Sequence, residues 1–418
     1  MKKKLKERLK KYPMVSKLIT KSYLYVNYIL SDKKKSKGNI ERISPMDGYE
    51  YFFGYYDKSP WNIDERYVIC LRVKDSLESV APSSPAEIVL IDMFDDKKLE
   101  VINQTYTWNL QQGAMLQWLG PDFDKEIIFN DFRDGKYCSV IYNIYSKKER
   151  ILNLPIYDVT SNGKYALSLD FSRLHSLRPG YGYSNLREKN KGIDIPDDAA
   201  IKLLDIKKNT SKVIITYKEL FDYKKKNSMI GAKHWVNHIM VNPSGNRTMF
   251  LHRWIKDEKT YTRLLTMNID GSDLFILNDD DMTSHSYWKN DTVILSFAHK
   301  NGFGKGYFNF YDKSHRFDTT IEELKNDGHP SYSPDGKKII TDQYANKQRK
   351  QMLYLITDEK VNILAKVFSP FKFDGDFRCD LHPKWDRKSQ KVAFDGTFEG
   401  KRGLYMVRIG GKQNNEKS

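Results

Sequence analysis

Short apolar strands separated by polar turns recur along the whole chain. Runs such as 263–269 (RLLTMNI) and 352–357 (MLYLIT) are alternating or continuously apolar, which is typical of β-strands. Seven segments combine a polar turn with such a strand, at spacings of about 40 to 80 residues that fit four-stranded blades with loop insertions. Three segments are 61–73, 120–132 and 160–171, and four begin at His238, His285, His329 and His382. The pattern predicts an all-β fold, a seven-bladed β-propeller.

Composition and length agree with one large β body. The 27 Tyr, 21 Phe and 7 Trp supply the bulk that packs one blade against the next. We expect a basic amphipathic helical segment at 1–38, the propeller at 39–412 and a disordered tail at 413–418. The three cysteines lie far apart and match no metal-binding spacing, so they are interpreted as thiols of a reducing compartment.

The positive charge is concentrated at the N-terminus. Residues 1–37 carry 13 Lys or Arg and two acidic residues, and so account for +11 of the formal net charge of +16. A nucleic-acid-binding protein would carry its Lys and Arg on the folded body, which is nearly balanced here. We therefore predict no nucleic-acid partner.

The N-terminal segment has two interpretations. Apolar residues share one helical face between lysine runs, so the helix either lies on an anionic membrane surface through residues 1–37 or packs on the propeller. Its longest nearly apolar run, 23–30, is too short to span a bilayer, and no secretory signal is recognisable. We expect a cytoplasmic location, free or peripheral on the inner face of the membrane.

Four of the nine histidines stand at nearly the same offset ahead of a turn. Inner strands of a propeller converge on the central channel, so His238, His285, His329 and His382 are expected around one of its ends. A single histidine at such a position is more often structural, but four in one register favour a site. Imidazoles with a carboxylate suit a divalent, Mn-like metal ion. The predicted metal ligands are His238, His329, His382 and Asp380.

Several of these segments resemble the oligogalacturonate lyase family. They are 262–277 (TRLLTMNIDGSDLFIL), 284–288 (SHSYW), 329–342 (HPSYSPDGKKIITD) and 381–396 (LHPKWDRKSQKVAFDG). The resemblance, which covers roughly 234–409, implies a seven-bladed propeller that cleaves pectin oligomers by β-elimination. It also implies that Arg263 and His285 abstract the proton and that His329 and His382 bind the metal. Phe377 and Asp380 stand where the family has a glutamine and a further histidine ligand.

The N-terminal half has aromatic motifs of its own at 51–61, 108–120 and 170–183, similar to those of uncharacterised propellers of bacterial surface-polysaccharide gene clusters. Their aromatic rings provide faces on which sugars stack, and their polar residues provide hydrogen bonds and cations for a sugar carboxylate. Ordinary packing between blades is the alternative for each aromatic residue. The predicted substrate-binding residues are Tyr56, Asp57, Gln112, Trp118, Arg173, Arg178 and Tyr181.

Two functions follow from the sequence. The first is a divalent-metal-dependent lyase acting on acidic, uronate-containing oligo- or polysaccharides, with His285 or Arg263 as the base. The second is a non-catalytic glycan- or protein-binding propeller tethered at the inner membrane in surface-polysaccharide biosynthesis. No organic cofactor is predicted, because the sequence contains neither a nucleotide-binding motif nor a serine-hydrolase motif.

Overall fold

A computed structural model describes residues 13–30, 36–79, 83–358 and 360–410. These residues form seven antiparallel sheets of four strands each, which confirms the predicted seven-bladed propeller. The tail predicted at 413–418 and part of the predicted N-terminal segment lie outside the described residues.

Within a blade, the strands follow one another from the inner to the outer edge, so each blade is a meander. Blade 1 has β2 (Glu50–Phe52), β3 (Tyr67–Val73), β4 (Ala86–Asp92) and β5 (Lys98–Thr105). Blade 2 has β6 (Gln117–Trp118), β7 (Glu126–Arg133), β8 (Lys136–Asn143) and β9 (Glu149–Leu152). Blade 3 has β10 (Asp158–Val159), β11 (Tyr165–Ser168), β12 (Ala199–Asp205) and β13 (Thr210–Thr216).

The second half of the chain builds the remaining blades. Blade 4 has β14 (Lys233–Val241), β15 (Arg247–Lys256), β16 (Lys259–Asn268) and β17 (Phe275–Asn278). Blade 5 has β18 (Thr283–Trp288), β19 (Val293–Lys300), β20 (Gly304–Tyr311) and β21 (Phe317–Thr320). Blade 6 has β22 (Ser331–Tyr332), β23 (Ile339–Asp342), β24 (Lys350–Thr357) and β25 (Lys360–Phe368).

Blade 7 closes the ring with strands from both ends of the chain. It has β26 (Lys384–Trp385), β27 (Lys391–Gly396) and β28 (Gly403–Arg408), and its outer strand is β1 (Ile40–Arg42). Ile40 pairs with Val407 and Arg42 with Tyr405 in the antiparallel register. The backbone hydrogen bonds of this blade therefore hold the first and last strands together.

Tryptophans on inner strands tie adjacent blades to one another. Trp118 donates its indole N–H to the carbonyl of Pro60, and Trp288 donates to that of Met240. Trp385 makes the equivalent bond to Ser331. Each indole thus packs between two blades and satisfies a carbonyl of the preceding one, as buried tryptophans usually do.

The described residues also form three α-helices, which lie outside the blades. They are α1 (Pro13–Ile29), α2 (Phe171–Leu177) and α3 (Tyr217–Asp222), and there are single 3₁₀ turns at Asn227–Met229 and Gly375–Phe377. In α1, Tyr28 stacks on Phe368 and the ring of Tyr25 meets that of Phe371 edge-on. The helix therefore packs on blade 6 through its tyrosines. No helix in the described part of the chain is both long and apolar enough to cross a membrane.

Candidate metal centre

The four histidines of the shared register lie side by side at one end of the inner strands. Ring centroids are 5.2 Å apart for His238 and His285, 4.0 Å for His285 and His329, and 4.3 Å for His329 and His382. The convergence expected from the sequence is confirmed. The ring of Tyr55 contacts three of these imidazoles and closes the group from blade 1.

Irregular backbone directs these side chains inward. The pairing of β14 with β15 is interrupted between Asn237 and Met240, and His238 has a φ of 53°. The pairing of β18 with β19 is interrupted around His285, and His382 has a φ of 43°. A bulge re-aims a side chain, and positive φ at a residue other than glycine costs energy, so these features are typical of functional sites.

Asp342, at the end of β23, fixes the orientation of His329. Its carboxylate lies 2.8 Å from Nδ1 of His329 and also accepts the backbone N–H groups of His329 and His382. Burial alone would lower the pKa of His329, but the carboxylate of Asp342, together with those of Asp380 and Asp327, outweighs it and raises that pKa. A carboxylate that holds one imidazole nitrogen and increases the basicity of the ring is the usual support of a metal-binding histidine.

The free nitrogens of two histidines point to an ion. Nε2 of His329 and Nε2 of His382 are buried and have no hydrogen-bond partner among the described residues. Burial also lowers the pKa of His382 well below its ordinary value, so that the ring is neutral and its nitrogen lone pair is available.

Asp380 completes a group of three possible ligands with these histidines. One ligand atom from each of His329, Asp380 and His382 lies within 4.8 Å of the other two. Arg378 binds one oxygen of Asp380 at 2.8 Å and leaves the other free. Two imidazoles with buried, unpartnered nitrogens and one carboxylate form a ligand set that fits a divalent cation of the Mn or Zn type.

His238 has a different environment from the other predicted ligands. The hydroxyl of Tyr55 lies 2.6 Å from its Nε2, and the hydroxyl of Tyr157 accepts its backbone N–H. His238 belongs to the histidine ring but not to the group of three whose ligand atoms converge.

His285 is paired with a second aspartate. Its Nδ1 lies 3.1 Å from Asp327, whose other oxygen accepts the hydroxyl of Ser284. Burial and the neighbouring His329 lower the pKa of His285 although Asp327 opposes them, so the ring is a neutral imidazole near pH 7. A neutral imidazole oriented by a carboxylate is equipped to accept a proton.

Arg263 is not part of this group, which corrects the predicted pairing with His285. It lies on β16 opposite His252, and its guanidinium donates to Nδ1 of His252 and to the carbonyls of Leu220 and Tyr223. The side chain is fully buried, and its bonds to Leu220 and Tyr223 anchor the end of α3 on blade 4. The sequence match was misleading because Arg263 lies on the third strand of blade 4, and β15 separates it from the inner strand that carries His238.

Arg253, on β15, lies close enough to His238 for its charge to act on that imidazole. It donates to Asn237 at 3.0 Å, and no carboxylate in the described part of the chain forms an ion pair with it. Burial and the nearby Arg178 lower its pKa, and Tyr55, Tyr181 and Asp327 are its other electrostatic neighbours. A partly buried cation without an acidic partner is suited to an anionic ligand.

Three of the predicted substrate-binding residues lie at the same end. Arg178 is exposed and stacks over Tyr181, whose hydroxyl is 3.3 Å from Arg378. Tyr56 lies deeper, against the rings of His285 and His329, and its hydroxyl donates to the carbonyl of Ser286. Arg178 and Tyr181 therefore line the approach to the histidines, and Tyr56 packs beneath them.

Four other predicted substrate contacts do not line this approach to the histidines. Arg173 is buried and held by Glu188 and three backbone carbonyls, so it has a structural role. Gln112 is buried and donates to Tyr157. Asp57 and Trp118 line a separate cavity. These residues were predicted because aromatic and polar side chains of adjacent blades look alike in sequence, whichever end of the channel they face.

Sequence reasoning missed Asp327, Asp342 and Arg253. Asp342 ends β23 and Arg253 lies in the second half of β15; both second strands run antiparallel to the inner strand, so their later residues return to the end of the blade where the inner strand begins. The sequence could therefore have predicted them, since a polar residue late in the second strand follows a histidine at the inner strand of the same blade. Asp327 precedes β22 in a loop and had no such signal.

Comparison with known proteins supports the fold. No family model matches the sequence, and none of the curated proteins is a significant match to it. An oligogalacturonate lyase from Vibrio parahaemolyticus is 11% identical, with a TM-score of 0.63 over 90% of this chain and 96% of the other. An oligogalacturonate lyase in complex with manganese is 14% identical, with a TM-score of 0.66 over 90% and 94% of the two chains.

The fold is that of these oligogalacturonate lyases. The likeness extends over nearly the whole of each chain, beyond the second half in which the sequence motifs were recognised. At these identities it establishes the fold alone.

Proposed function

We propose that this propeller is a divalent-metal-dependent lyase that cleaves uronate-containing oligo- or polysaccharides by β-elimination. The observation that carries the proposal is the pair of buried, unpartnered Nε2 atoms of His329 and His382 beside Asp380. A bound divalent cation would neutralise the uronate carboxylate and so acidify the adjacent C–H group.

Proton transfer is assigned to His285 in this proposal. The neutral imidazole accepts the proton from the carbon next to the carboxylate, and Asp327 stabilises the resulting imidazolium through Nδ1. The electron pair of the C–H bond becomes the new C=C bond as the bond to the glycosidic oxygen breaks. The departing oxygen takes up a proton from water and His285 returns its own to solvent, so the products are an unsaturated uronate and a free hydroxyl.

Two arginines are assigned to the carboxylates of the substrate. Arg253 has one hydrogen bond, to Asn237, and Arg178 stands at the opening over Tyr181. Neither forms an ion pair within the described residues, whereas Arg378 is committed to Asp380. A chain of uronates offers one carboxylate per sugar, so a second arginine outside the first fits an oligomer better than a single sugar.

The experiment is an absorbance assay for the unsaturated product across a panel of acidic oligosaccharides. We expect a signal that is abolished by chelation and restored by Mn²⁺. The matched control is His382→Ala, which removes a ligand without touching His285. Binding of an oligosaccharide with no product from any panel member, in the metal-loaded protein, would favour the non-catalytic glycan-binding function instead.

We also propose that α1 attaches the protein to an anionic membrane surface. Its tyrosines pack on blade 6, but Leu18, Val26, Ile29 and Leu30 remain more than half exposed. These apolar side chains are accompanied by the net charge of +11 in residues 1–37. An exposed apolar face in a strongly basic segment is the combination that binds lipid headgroups and the acyl boundary beneath them.

The test of this second proposal is sedimentation with vesicles containing phosphatidylserine. Val26→Glu should weaken binding, and the matched control Val213→Glu, on the outer strand of blade 3, should not. The two valines are 53% and 50% exposed, so neither change should affect folding. Equal binding by both variants would contradict the attachment through α1.

A further inference from the structure

A separate cavity of about 220 Å³ lies at the other end of the inner strands. Strand β14 carries His238 and then, two and three residues later, Met240 and Val241 of the cavity wall. Strand β18 likewise carries His285 and then Tyr287. At about 3.3 Å per residue the cavity lies roughly 7–10 Å beyond the histidines. None of the residues assigned to the proposed lyase site lines it.

One wall of the cavity bears a buried carboxylate that is incompletely paired. Lys58 lies between Asp57 and Asp158, and Oδ2 of Asp158 also accepts the backbone N–H of Val241. Oδ1 of Asp57 has no hydrogen-bond partner in the described part of the chain, and the side chain is 2% exposed. Buried carboxylate oxygens are rarely left without a donor, so this atom is suited to a hydroxyl group of a ligand.

Another wall bears a cation without an acidic partner. Arg387 donates from Nε to the carbonyl of Trp61 and stacks on Phe123 at 4.3 Å. No described residue forms an ion pair with it, and burial lowers its pKa to about 10. The guanidinium is still charged at neutral pH and keeps its terminal N–H groups for an acceptor such as a carboxylate.

A tyrosine and a tryptophan contribute the rest of the wall. Tyr287 feels the charges of Asp57, Lys58 and Arg387, and its hydroxyl makes no hydrogen bond with any residue that the structure describes. Trp118 contributes an apolar face, since its indole N–H is committed to Pro60. Exposed Ser161 and Pro243 lie at the rim, so the cavity is reached from solvent.

We infer that this cavity binds one small hydroxylated carboxylic acid of the size of a single sugar acid. The carboxylate binds Arg387, a hydroxyl donates to Oδ1 of Asp57, and Tyr287 supplies a further hydrogen bond while Trp118 covers the ring face. The volume admits one sugar unit but not an oligomer. This inference does not depend on lyase activity at the histidine end.

The test is isothermal titration of the full-length protein with D-galacturonate and D-glucuronate in the presence of EDTA. Chelation removes metal-dependent binding at the histidines, and Arg178→Ala tests for any metal-independent binding at that end. D-galactose is the neutral counterpart. Glycine, a small carboxylate with an ammonium donor, distinguishes a sugar acid from an amino acid.

Two variants act on the cavity and one on the other end. Tyr287→Phe removes only a hydroxyl without a partner, so folding should be unaffected, and affinity should fall about fivefold. Arg387→Met keeps the contact with Phe123 and should lower affinity at least tenfold. Arg178→Ala, near the histidines, should have no effect.

Saturable binding of either uronate with this pattern, stronger than that of D-galactose and glycine, supports the inference. It is overturned if neither uronate binds, or if Arg178→Ala loses the binding while Tyr287→Phe and Arg387→Met keep it. Equal or tighter binding of D-galactose would refute the role of Arg387, and tighter binding of glycine would refute the sugar-acid class. These binding outcomes can be interpreted even if the lyase assay detects no activity, because the titration does not require turnover.

Discussion

Replacing Asp342 by asparagine should weaken metal binding while the protein stays folded. The carboxylate accepts hydrogen bonds from Nδ1 of His329 and from the backbone N–H groups of His329 and His382. An asparagine has only one acceptor oxygen. Its amide nitrogen, itself a donor, then faces one of the N–H groups that the second carboxylate oxygen accepted. If that nitrogen donates to Nδ1 of His329, the proton of the ring moves to Nε2 and blocks the atom assigned to the metal.

The size of the effect follows from the bonds lost. A hydrogen bond to a charged group contributes about 1.5–3 kcal/mol, which corresponds to roughly 10- to 100-fold in an equilibrium constant. Loss of the carboxylate that supports a metal-binding histidine has the same range of effect, about 10- to 100-fold in metal affinity. We therefore expect Asp342→Asn to weaken Mn²⁺ binding by one to two orders of magnitude.

The assay is metal titration of the folded variant by calorimetry, with circular dichroism to verify the β structure. Asp327→Asn is the matched control, because it removes the carboxylate of the neighbouring histidine pair, Asp327 and His285, which is not in the group of three ligands. It should keep metal affinity and lose turnover. Metal affinity within twofold of the original in Asp342→Asn, or an equal loss in both variants, would refute the reasoning.

Three further substitutions separate the roles of individual residues. His285→Ala should lower turnover by about 10²- to 10⁴-fold with metal content unchanged, and a loss below tenfold would argue against it as the base. Arg253→Met should raise KM for a uronate oligomer at least tenfold with little change in stability, since it has one hydrogen bond to lose; an unchanged KM would remove it from the site. Arg263→Met should lower Tm, because it leaves the carbonyls of Leu220 and Tyr223 without donors, at a cost of about 1–3 kcal/mol for each. Loss of turnover at unchanged Tm would instead support the catalytic role that the sequence predicted for Arg263.

The fold was predictable because the propeller repeats one pattern. Each turn with its following strand marks the step from the inner to the second strand of a blade, and seven such steps specify seven blades. The closure was harder to predict, since β1 has three residues and pairs with β28, more than 360 positions along the chain. A strand that short has no periodicity of its own, and its place is decided by the open edge of blade 7.

The candidate site was predictable as far as its inner-strand residues. The shared register places His238, His285, His329 and His382 correctly, since equivalent positions of neighbouring blades meet at the channel. The register of the inner strands does not show where the side chains of a third strand point. Arg263, on the third strand of blade 4, was therefore misassigned. Nor does an aromatic motif reveal its end of the channel, and Trp118 lines the separate cavity rather than the approach to the histidines.

The most direct test of the central claim is an anomalous difference map from crystals grown with MnCl₂, recorded at a wavelength where Mn scatters anomalously. The account predicts one strong peak at the histidine end, within about 2.0–2.4 Å of Nε2 of His329, Nε2 of His382 and the free oxygen of Asp380. A map with no peak there at saturating Mn²⁺, and with both Nε2 atoms bonded to ordered water, would contradict it.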